Sequence, residues 1–141
     1  MKKQILLLAL LAGNVYACMA QKEKIEVPAA VEKSFAKQFP GATAKWEKEK
    51  GSYEASFKQN GTSMSAVFGA TGALEETEAT IKSTELPAPV LAYVKDHKKN
   101  AAIKEAAKIT KSSGEVNYEA EVNGKDLIFD ESGKFIKEEK D

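Results

Sequence analysis

Residues 53–68 read YEASFKQNGTSMSAVF, and this stretch decides the fold. Apolar and polar residues alternate on both sides of Asn60-Gly61, which is the strongest short signal for a tight β-hairpin. The residues predicted to face inward are Tyr53, Ala55, Phe57, Met64, Ala66 and Phe68. The residues between them are mostly serine, glutamate and lysine. The stretch therefore predicts two antiparallel strands with one buried and one solvated face.

The same pattern returns later in the chain, displaced by 59 to 65 residues. Tyr118-Glu119-Ala120 repeats Tyr53-Glu54-Ala55, and Asn123-Gly124 repeats the hairpin signal. Further matches in the same order are Val27-Pro28 with Leu86-Pro87, Lys45-Trp46 with Lys108-Ile109, Gly51 with Gly114, and Phe68, Gly72 and Glu76 with Phe129, Gly133 and Lys137. Because the order is kept, the sequence predicts two copies of one unit.

Each copy is predicted to be one helix followed by a four-stranded antiparallel meander, which makes the fold class α+β. Pro28 and Pro87 suit the first turn of a helix, and Val31, Phe35 and Phe39 form one apolar stripe. The predicted units are residues 26–83 and 84–139. The short linker 79–85 predicts that the two meanders join in one larger sheet, with both helices on one face and a broad polar face opposite.

The start of the chain has the order of a secretory signal peptide. Lys2 and Lys3 precede an apolar run from Ile5 to Ala12, which is shorter than the roughly 20 residues that a membrane span needs. We expect residues 1–20 to be removed by cleavage between Ala20 and Gln21, which predicts an exported, periplasmic protein. The alternative is a lipoprotein anchored through Cys18, since Val15-Tyr16-Ala17-Cys18 is similar to a lipobox.

The composition argues against several classes of function. All 21 basic residues are lysine and are balanced by 21 acids, so the chain lacks the arginine forks and the basic field typical of nucleic-acid binding. His97 is the only histidine and Cys18 the only cysteine, which argues against a zinc site and a catalytic triad. We predict no enzyme activity, no catalytic residue and no cofactor.

Two acidic clusters could in principle bind calcium. They are Glu75, Glu76 and Glu78, and Asp126, Asp130 and Glu131. Calcium needs six to eight oxygen ligands from a suitably spaced loop. Asp130 to Gly133 is better explained as a hairpin turn, so no metal site is predicted.

Two motifs resemble a known family. The helix start Leu86-Pro87-x-x-Val90 and the terminal Phe129-Asp130-x-x-Gly133-Lys134 are similar to the PepSY-like, beta-lactamase-inhibitor-like family of small exported Bacteroidetes proteins. The resemblance covers residues 26–139 and implies the fold, but it implies no catalytic residues. Inhibitors of that kind bind through an aromatic-rich sheet face. Here the aromatic residues alternate onto the buried side, which argues against lactamase inhibition.

The function predicted from these observations is a non-enzymatic periplasmic binding module that contacts an unidentified protein or peptide through its polar sheet face. The candidate binding residues are Glu54, Ser56, Lys58, Ser63, Ser65, Asn117, Glu119 and Glu121. The alternative is a periplasmic protein that binds a small molecule or calcium in a groove between the two units.

Overall fold

A computed structural model describes residues 25–140, and it contains two helices and one eight-stranded antiparallel sheet. The helices are α1 (Ala29–Gln38) and α2 (Ala88–His97). The strands are β1 (Lys45–Glu49), β2 (Ser52–Gln59), β3 (Thr62–Phe68), β4 (Leu74–Ile81), β5 (Glu105–Lys111), β6 (Val116–Val122), β7 (Lys125–Asp130) and β8 (Phe135–Lys140). Neighbours in the sheet follow chain order from β1 to β8. The predicted α+β class is confirmed. The predicted signal segment, with Cys18, Ala20 and Gln21, lies outside the described residues.

Both helices begin directly after a proline, which lies at the N-cap rather than within the first turn as predicted. The carbonyl of Pro28 accepts hydrogen bonds from the Val31 and Glu32 amides at 2.9 and 3.1 Å, and the carbonyl of Pro87 accepts one from Val90 at 2.9 Å. A proline at this position loses no helical hydrogen bond. Helix α1 ends where the Phe39 amide donates to Phe35 at 2.8 Å, before Gly41 turns the chain at a φ of 80°.

The core of the first half lies between α1 and the sheet. Val31 and Phe35 from the helix pack with the inward residues of β2 and β3, including the fully buried Phe68. The Phe35 ring stands edge-on to Trp46 and Phe57, with centroids 5.4 and 5.0 Å apart. Edge-to-face pairs of this kind add to the stability that apolar burial provides. The predicted inward face of residues 53–68 is therefore the face that α1 covers.

The second half repeats this arrangement around Phe129. Val90 and Val94 of α2 pack on the inward residues of β5, β6 and β7, and Phe129 is fully buried. Tyr93 stacks on Phe135 with centroids 4.6 Å apart and meets Phe129 edge-on at 5.4 Å. The aromatic side chains of this half thus also lie on the helix side of the sheet.

The two halves share one sheet because β4 pairs with β5. Register places Glu78 opposite Ile109 and Ile81 opposite Ala106, and the Ser112 amide donates to the Glu75 carbonyl at 2.8 Å. The inward residues Ala66 of β3 and Ala106 of β5 lie on the same face, so both helices cover one face and leave the other without a helix. We call the latter the helix-free face.

One of the proposed sequence matches is wrong. Lys45-Trp46 corresponds by register to Glu105-Ala106 rather than to Lys108-Ile109, because Trp46 lies opposite Ala55 and Ala106 opposite Ala120. Trp46 packs in the core on the helix side, whereas Ile109 points to the helix-free face. Side chains alternate between faces along a strand, so an odd shift in alignment exchanges the two faces.

The connection between the halves predicts cooperative unfolding. Thr80 and Ile81 belong to β4, a short 3-10 helix spans Ser83–Glu85, and Leu86 is buried. A segment held in this way does not act as a flexible linker between two independent domains. We expect one thermal transition for residues 21–141 and slow proteolysis between residues 80 and 84. Calorimetry and limited proteolysis test this, and rapid cleavage into two stable halves would contradict it.

Candidate functional site

The candidate site is the helix-free face, which runs across all eight strands. Its first half contains Lys45 and Glu47 of β1, Glu54, Ser56 and Lys58 of β2, Ser63, Ser65 and Val67 of β3, and Glu76, Glu78 and Thr80 of β4. Its second half contains Glu105, Ala107, Ile109 and Lys111 of β5, Asn117, Glu119 and Glu121 of β6, Asp126, Ile128 and Asp130 of β7, and Lys137 and Glu139 of β8. Alternation along each strand places these side chains together.

The structure brings together the candidate binding residues that lie in the first half. A cleft of about 410 Å³ is lined by all five of them, which are Glu54, Ser56, Lys58, Ser63 and Ser65. The cleft reaches the junction of the two halves, because the other residues that line it are Lys45, Phe57, Met64, Glu78, Thr80 and Glu105. The Ser65 hydroxyl is buried and makes no hydrogen bond within residues 25–140.

The candidates in the second half lie around a smaller cleft. Asn117 and Glu119 line a space of about 90 Å³, and Glu121 lies next to them on the same face. Glu76 of β4 and Lys137 of β8 line the same space. Two strands so far apart in sheet order can only border one small space if the sheet curves around it, so this face is concave here.

The helix-free face also carries four apolar side chains. Val67, Ala107, Ile109 and Ile128 also point to the helix-free face, and the two isoleucines line the smaller cleft. Ile128 lies between the inward residues Leu127 and Phe129, so alternation alone predicts that it faces the other side of the sheet. Ile109 was matched to Trp46, which lies on the helix side, and this wrong match assigned Ile109 to the wrong face. Ile109 and Ile128 are only 7% and 6% exposed and Ala107 is fully buried, so charged and polar side chains form most of the accessible surface of this face.

Charges on this face are arranged in rows across neighbouring strands. The Lys104 ammonium contacts the Glu121 carboxylate at 2.7 Å, and Lys137 contacts Glu139 at 2.6 Å. The Lys137 hydrogen bond lowers the pKa of the Glu139 carboxyl. Burial raises the pKa of Glu76, and the nearby Glu78 carboxylate raises it further. Glu76 is thus easier to protonate than an ordinary glutamate.

The acidic clusters have structural explanations. The Asp130 carboxylate accepts hydrogen bonds from the amides of Ser132 and Lys134, both at 2.9 Å, and from the Ser132 hydroxyl at 2.6 Å. Glu75 accepts a hydrogen bond from the Ser52 hydroxyl at 3.0 Å. Within residues 25–140, no group of three or more histidine, cysteine, aspartate or glutamate side chains is arranged to hold a metal ion.

The hydrogen bonds to Asp130 predict a dependence of stability on pH. The Ser132 hydroxyl and the Lys134 amide lower the Asp130 pKa from its ordinary value of 3.8. A carboxyl with a lowered pKa stabilises the fold above its unfolded pKa, and this contribution is lost as the pH falls through the folded pKa. We expect Asp130→Asn to reduce the unfolding free energy at neutral pH and progressively less below about pH 4. Denaturant titrations test this, with Glu131→Gln on the same turn as the control, and a loss that does not change with pH would contradict it.

His97 is the last residue of α2, as the sequence suggests. Its ring stacks on Tyr93 with centroids 4.2 Å apart, and its Nδ1 lies 3.1 Å from the Tyr93 carbonyl oxygen. A histidine at a helix C-terminus interacts favourably with the helix dipole when charged. It lies on the helix side of the sheet and contributes nothing to the helix-free face.

Comparison with known proteins supports the same fold. The family model described as "Putative beta-lactamase-inhibitor-like, PepSY-like" matches residues 21–67 and 51–137. No protein with a curated description matches the chain. Neither helix within residues 25–140 has the length and apolar character of a membrane span.

Solved structures from Bacteroides superimpose on most of the chain. A "putative periplasmic" protein from Bacteroides eggerthii has a TM-score of 0.70 at 17% identity, over 82% of this chain and 89% of that one. A DUF2874 family protein from Bacteroides uniformis has a TM-score of 0.68 at 18% identity, over 80% and 88%. A BLIP-like protein from Bacteroides fragilis has a TM-score of 0.63 at 25% identity, over 83% and 89%. Because the family model matches most of the sequence, the chain belongs to the PepSY-like, beta-lactamase-inhibitor-like family.

Proposed function

We propose that this protein is an exported, non-enzymatic module that binds a protein or peptide through its helix-free face. The observation that carries the proposal is the make-up of this face, which neither helix covers and whose clefts of about 410 and 90 Å³ are both lined by several charged side chains. The solvent face of an antiparallel sheet is ordinarily polar. Clefts in which polar groups from several strands converge are typical of binding sites.

Export is supported by the start of the sequence and by the family. Lys2, Lys3 and the apolar run that follows them have the order of a signal peptide, and a structural neighbour is described as periplasmic. We propose cleavage between Ala20 and Gln21, with lipidation of Cys18 as the alternative. Mass spectrometry of the mature protein distinguishes the two products.

A binding role fits the chemistry of the face better than a reaction does. The face presents carboxylates, hydroxyls and lysines, while His97 lies on the other side of the sheet. Trp46 and Phe135 pack on the helix side, and the chain has no arginine. Interface hot spots favour tryptophan, tyrosine and arginine, so we do not extend the proposal to inhibition of a beta-lactamase.

We also infer that residues 26–83 and 84–139 are two copies of one unit. Corresponding pairs have the same register in both halves, with Trp46 opposite Ala55 and Ala106 opposite Ala120. Each copy also has a register shift next to its central phenylalanine, Phe68 or Phe129. Shared irregularities of this kind support a common origin of the halves, since bulges are kept within families.

Capture of a partner tests the binding role. Purified residues 21–141 would be used as bait in a periplasmic extract, in parallel with the double variant Glu119→Lys/Glu121→Lys. The control Glu32→Lys/Asp96→Lys makes the same change in net charge on the two helices, and the melting temperatures of both variants are compared because Glu121 is buried and paired with Lys104. We expect the partner to be lost only with the first variant. An interaction that survives this variant, or is lost equally with the control, would contradict the proposed face.

The larger cleft favours a second candidate, a small polar ligand. Its volume of about 410 Å³ lies in the range of ligand pockets, and a polar ligand atom would supply the Ser65 hydroxyl with a hydrogen-bond partner. A ligand at 100 times its dissociation constant adds about 2.7 kcal/mol of stability. A thermal-shift screen with metabolites and calcium tests this, with Ser65→Ala as the variant that should lose the shift. A screen without any stabilising ligand would remove this candidate.

A further inference from the structure

The sheet is open, and its two edge strands are β1 and β8. Within residues 25–140, β1 pairs only with β2, and β8 pairs only with β7. The backbone groups on the outer side of an edge strand can pair with a strand of another molecule, and proteins protect their edges against this association. In this sheet each edge strand has a counterpart at the central junction of β4 and β5, which shows how a second copy could add to it.

Strand β1 holds the same place in the first half that β5 holds in the second. Lys48 of β1 and Lys108 of β5 each lie opposite a tyrosine in the neighbouring strand. The two tyrosines correspond, because each lies opposite the central phenylalanine of its half. Lys48 therefore corresponds to Lys108, and Glu49 corresponds to Ile109.

Strand β8 in turn holds the place of β4. The first residue of each strand lies opposite the central phenylalanine of its half, next to the shared register shift. Glu139 therefore corresponds to Glu78, and Lys140 corresponds to Ala79. A second copy whose β1 paired with β8 of the first copy would thus repeat the junction that joins the two halves.

The central junction brings no like charges together. Its directly opposed pairs are Glu76 with Lys111, Thr77 with Thr110, Glu78 with Ile109, Ala79 with Lys108, Thr80 with Ala107, and Ile81 with Ala106. The one pair in which both residues are charged joins a glutamate and a lysine. This register is therefore compatible with the side chains of β4 and β5.

The same register between two copies would oppose like charges on both faces of the sheet. Glu139 of one copy would lie opposite Glu49 of the next, and Lys140 would lie opposite Lys48. Directly opposed side chains of an antiparallel pair are about 5 Å apart, and like charges in such positions destabilise the pairing. Lys137 contacts Glu139 at 2.6 Å within one copy, but Glu49 would add a second carboxylate beside it.

The β1 edge is also short. It has five residues where β5 has seven, because the chain turns at Lys50 and Gly51 with φ values of 48° and 88°. Short edge strands and charged edge residues are two of the means by which natural sheets avoid pairing with each other. Both are present at the edge that a second copy would have to offer.

We propose that the charges of β1 and β8 prevent copies of this protein from joining end to end in the register that joins its two halves. Such a contact would use a different surface on each of the two copies. It would leave one edge open at each end, so that further copies could add and form a filament unless the rotation closed a ring. The central junction shows that the backbone can pair in this way, and the edge charges distinguish a second copy from the second half.

Exchanging the charges at one edge tests this inference. Lys48→Glu/Glu49→Lys keeps the net charge and makes both pairs between copies opposite in sign, and Glu139→Lys/Lys140→Glu does the same from the other edge. We expect the average mass of residues 21–141 in sedimentation experiments to rise with concentration for each variant. The wild type should keep the mass of one copy at concentrations about ten times higher than those at which the variants associate.

The variant that carries both exchanges is the matched control, because it restores like charges at both pairs. We expect it to keep the mass of one copy, although it contains every substitution of the two associating variants. Association of the combined variant as well would show that the substitutions act by damaging the fold, and it would overturn the inference. The inference would equally be overturned if neither edge variant associates while circular dichroism shows them folded, or if the wild type itself forms such chains.

Discussion

Replacing Phe68 or Phe129 by alanine is expected to lower the unfolding free energy of the whole protein by about 3–5 kcal/mol. Both rings are fully buried at the centre of their half of the core. Phe68 meets Phe35 and Trp46 with centroids 6.3 and 6.1 Å apart, and Phe129 meets Tyr93 and Phe135. Alanine would remove these contacts and leave a cavity that a rigid sheet closes only in part. A loss of this size is a large fraction of the roughly 5–15 kcal/mol that stabilises a typical protein.

Urea titrations followed by tryptophan fluorescence and by circular dichroism measure the effect. Since the halves share one sheet, we expect both probes to report one midpoint in each variant, although Trp46 lies only in the first half. Ile136→Ala is the control, because this side chain is 48% exposed and should change stability by less than about 0.5 kcal/mol. A Phe129→Ala variant that leaves the fluorescence midpoint unchanged would show that the halves unfold independently.

The second large effect is expected at the glycines of the two equivalent turns. Gly72 has a φ of 87°, and a Cβ placed on it would lie 2.6 Å from the Ala30 carbonyl oxygen of α1. Gly133 has a φ of 86°, and its Cβ would lie 3.1 Å from the Cβ atoms of Pro87 and Pro89. Gly72→Ala therefore combines left-handed backbone strain with a collision against helix backbone. We expect it to cost about 2–5 kcal/mol, the sum of the two effects.

Gly114 separates the two contributions. Its φ is 88°, almost the same as at Gly72, but a Cβ there would have no atom within 4 Å. Gly114→Ala should therefore show only the backbone strain of about 1–2 kcal/mol. We expect the order Gly72, Gly133, Gly114 from the largest loss to the smallest, because the prolines near Gly133 can yield by a few tenths of an ångström. Equal losses at Gly72 and Gly114 would show that contact with α1 does not matter.

Much of this fold could be predicted from local patterns. Alternation on both sides of Asn60-Gly61 identified β2 and β3 together with their inward residues. The prolines at 28 and 87 marked the helix starts. These predictions succeed because side-chain period, turn geometry and helix capping act over a few neighbouring residues.

The candidate site was predicted only in part. Glu54 and Ser56 were identified as outward from one strand alone, and the structure places them in a common cleft with Ser63 and Ser65. Ile109 was missed because its strand was aligned out of register with β1. Side chains alternate between the two faces of a sheet, so the face of a residue depends on whether its position along the strand is odd or even. An alignment that is wrong by an odd number of residues therefore assigns an apolar residue to the wrong face.

The sequence by itself determined the α+β class, the two hairpin signals, the aromatic side of each strand and the absence of arginine, since these follow from residue type and local period. The tertiary structure alone decided which outward residues become neighbours. Glu105, Glu121, Asp126 and Glu139 are spread over 35 positions of the chain, yet they form one row. Turns can set the register within hairpins, but the pairing of β4 with β5 across α2 depends on how the helix packs on the shared sheet. The local sequence pattern does not determine that packing. The row of four acids and the concave face therefore form only when the whole sheet has formed.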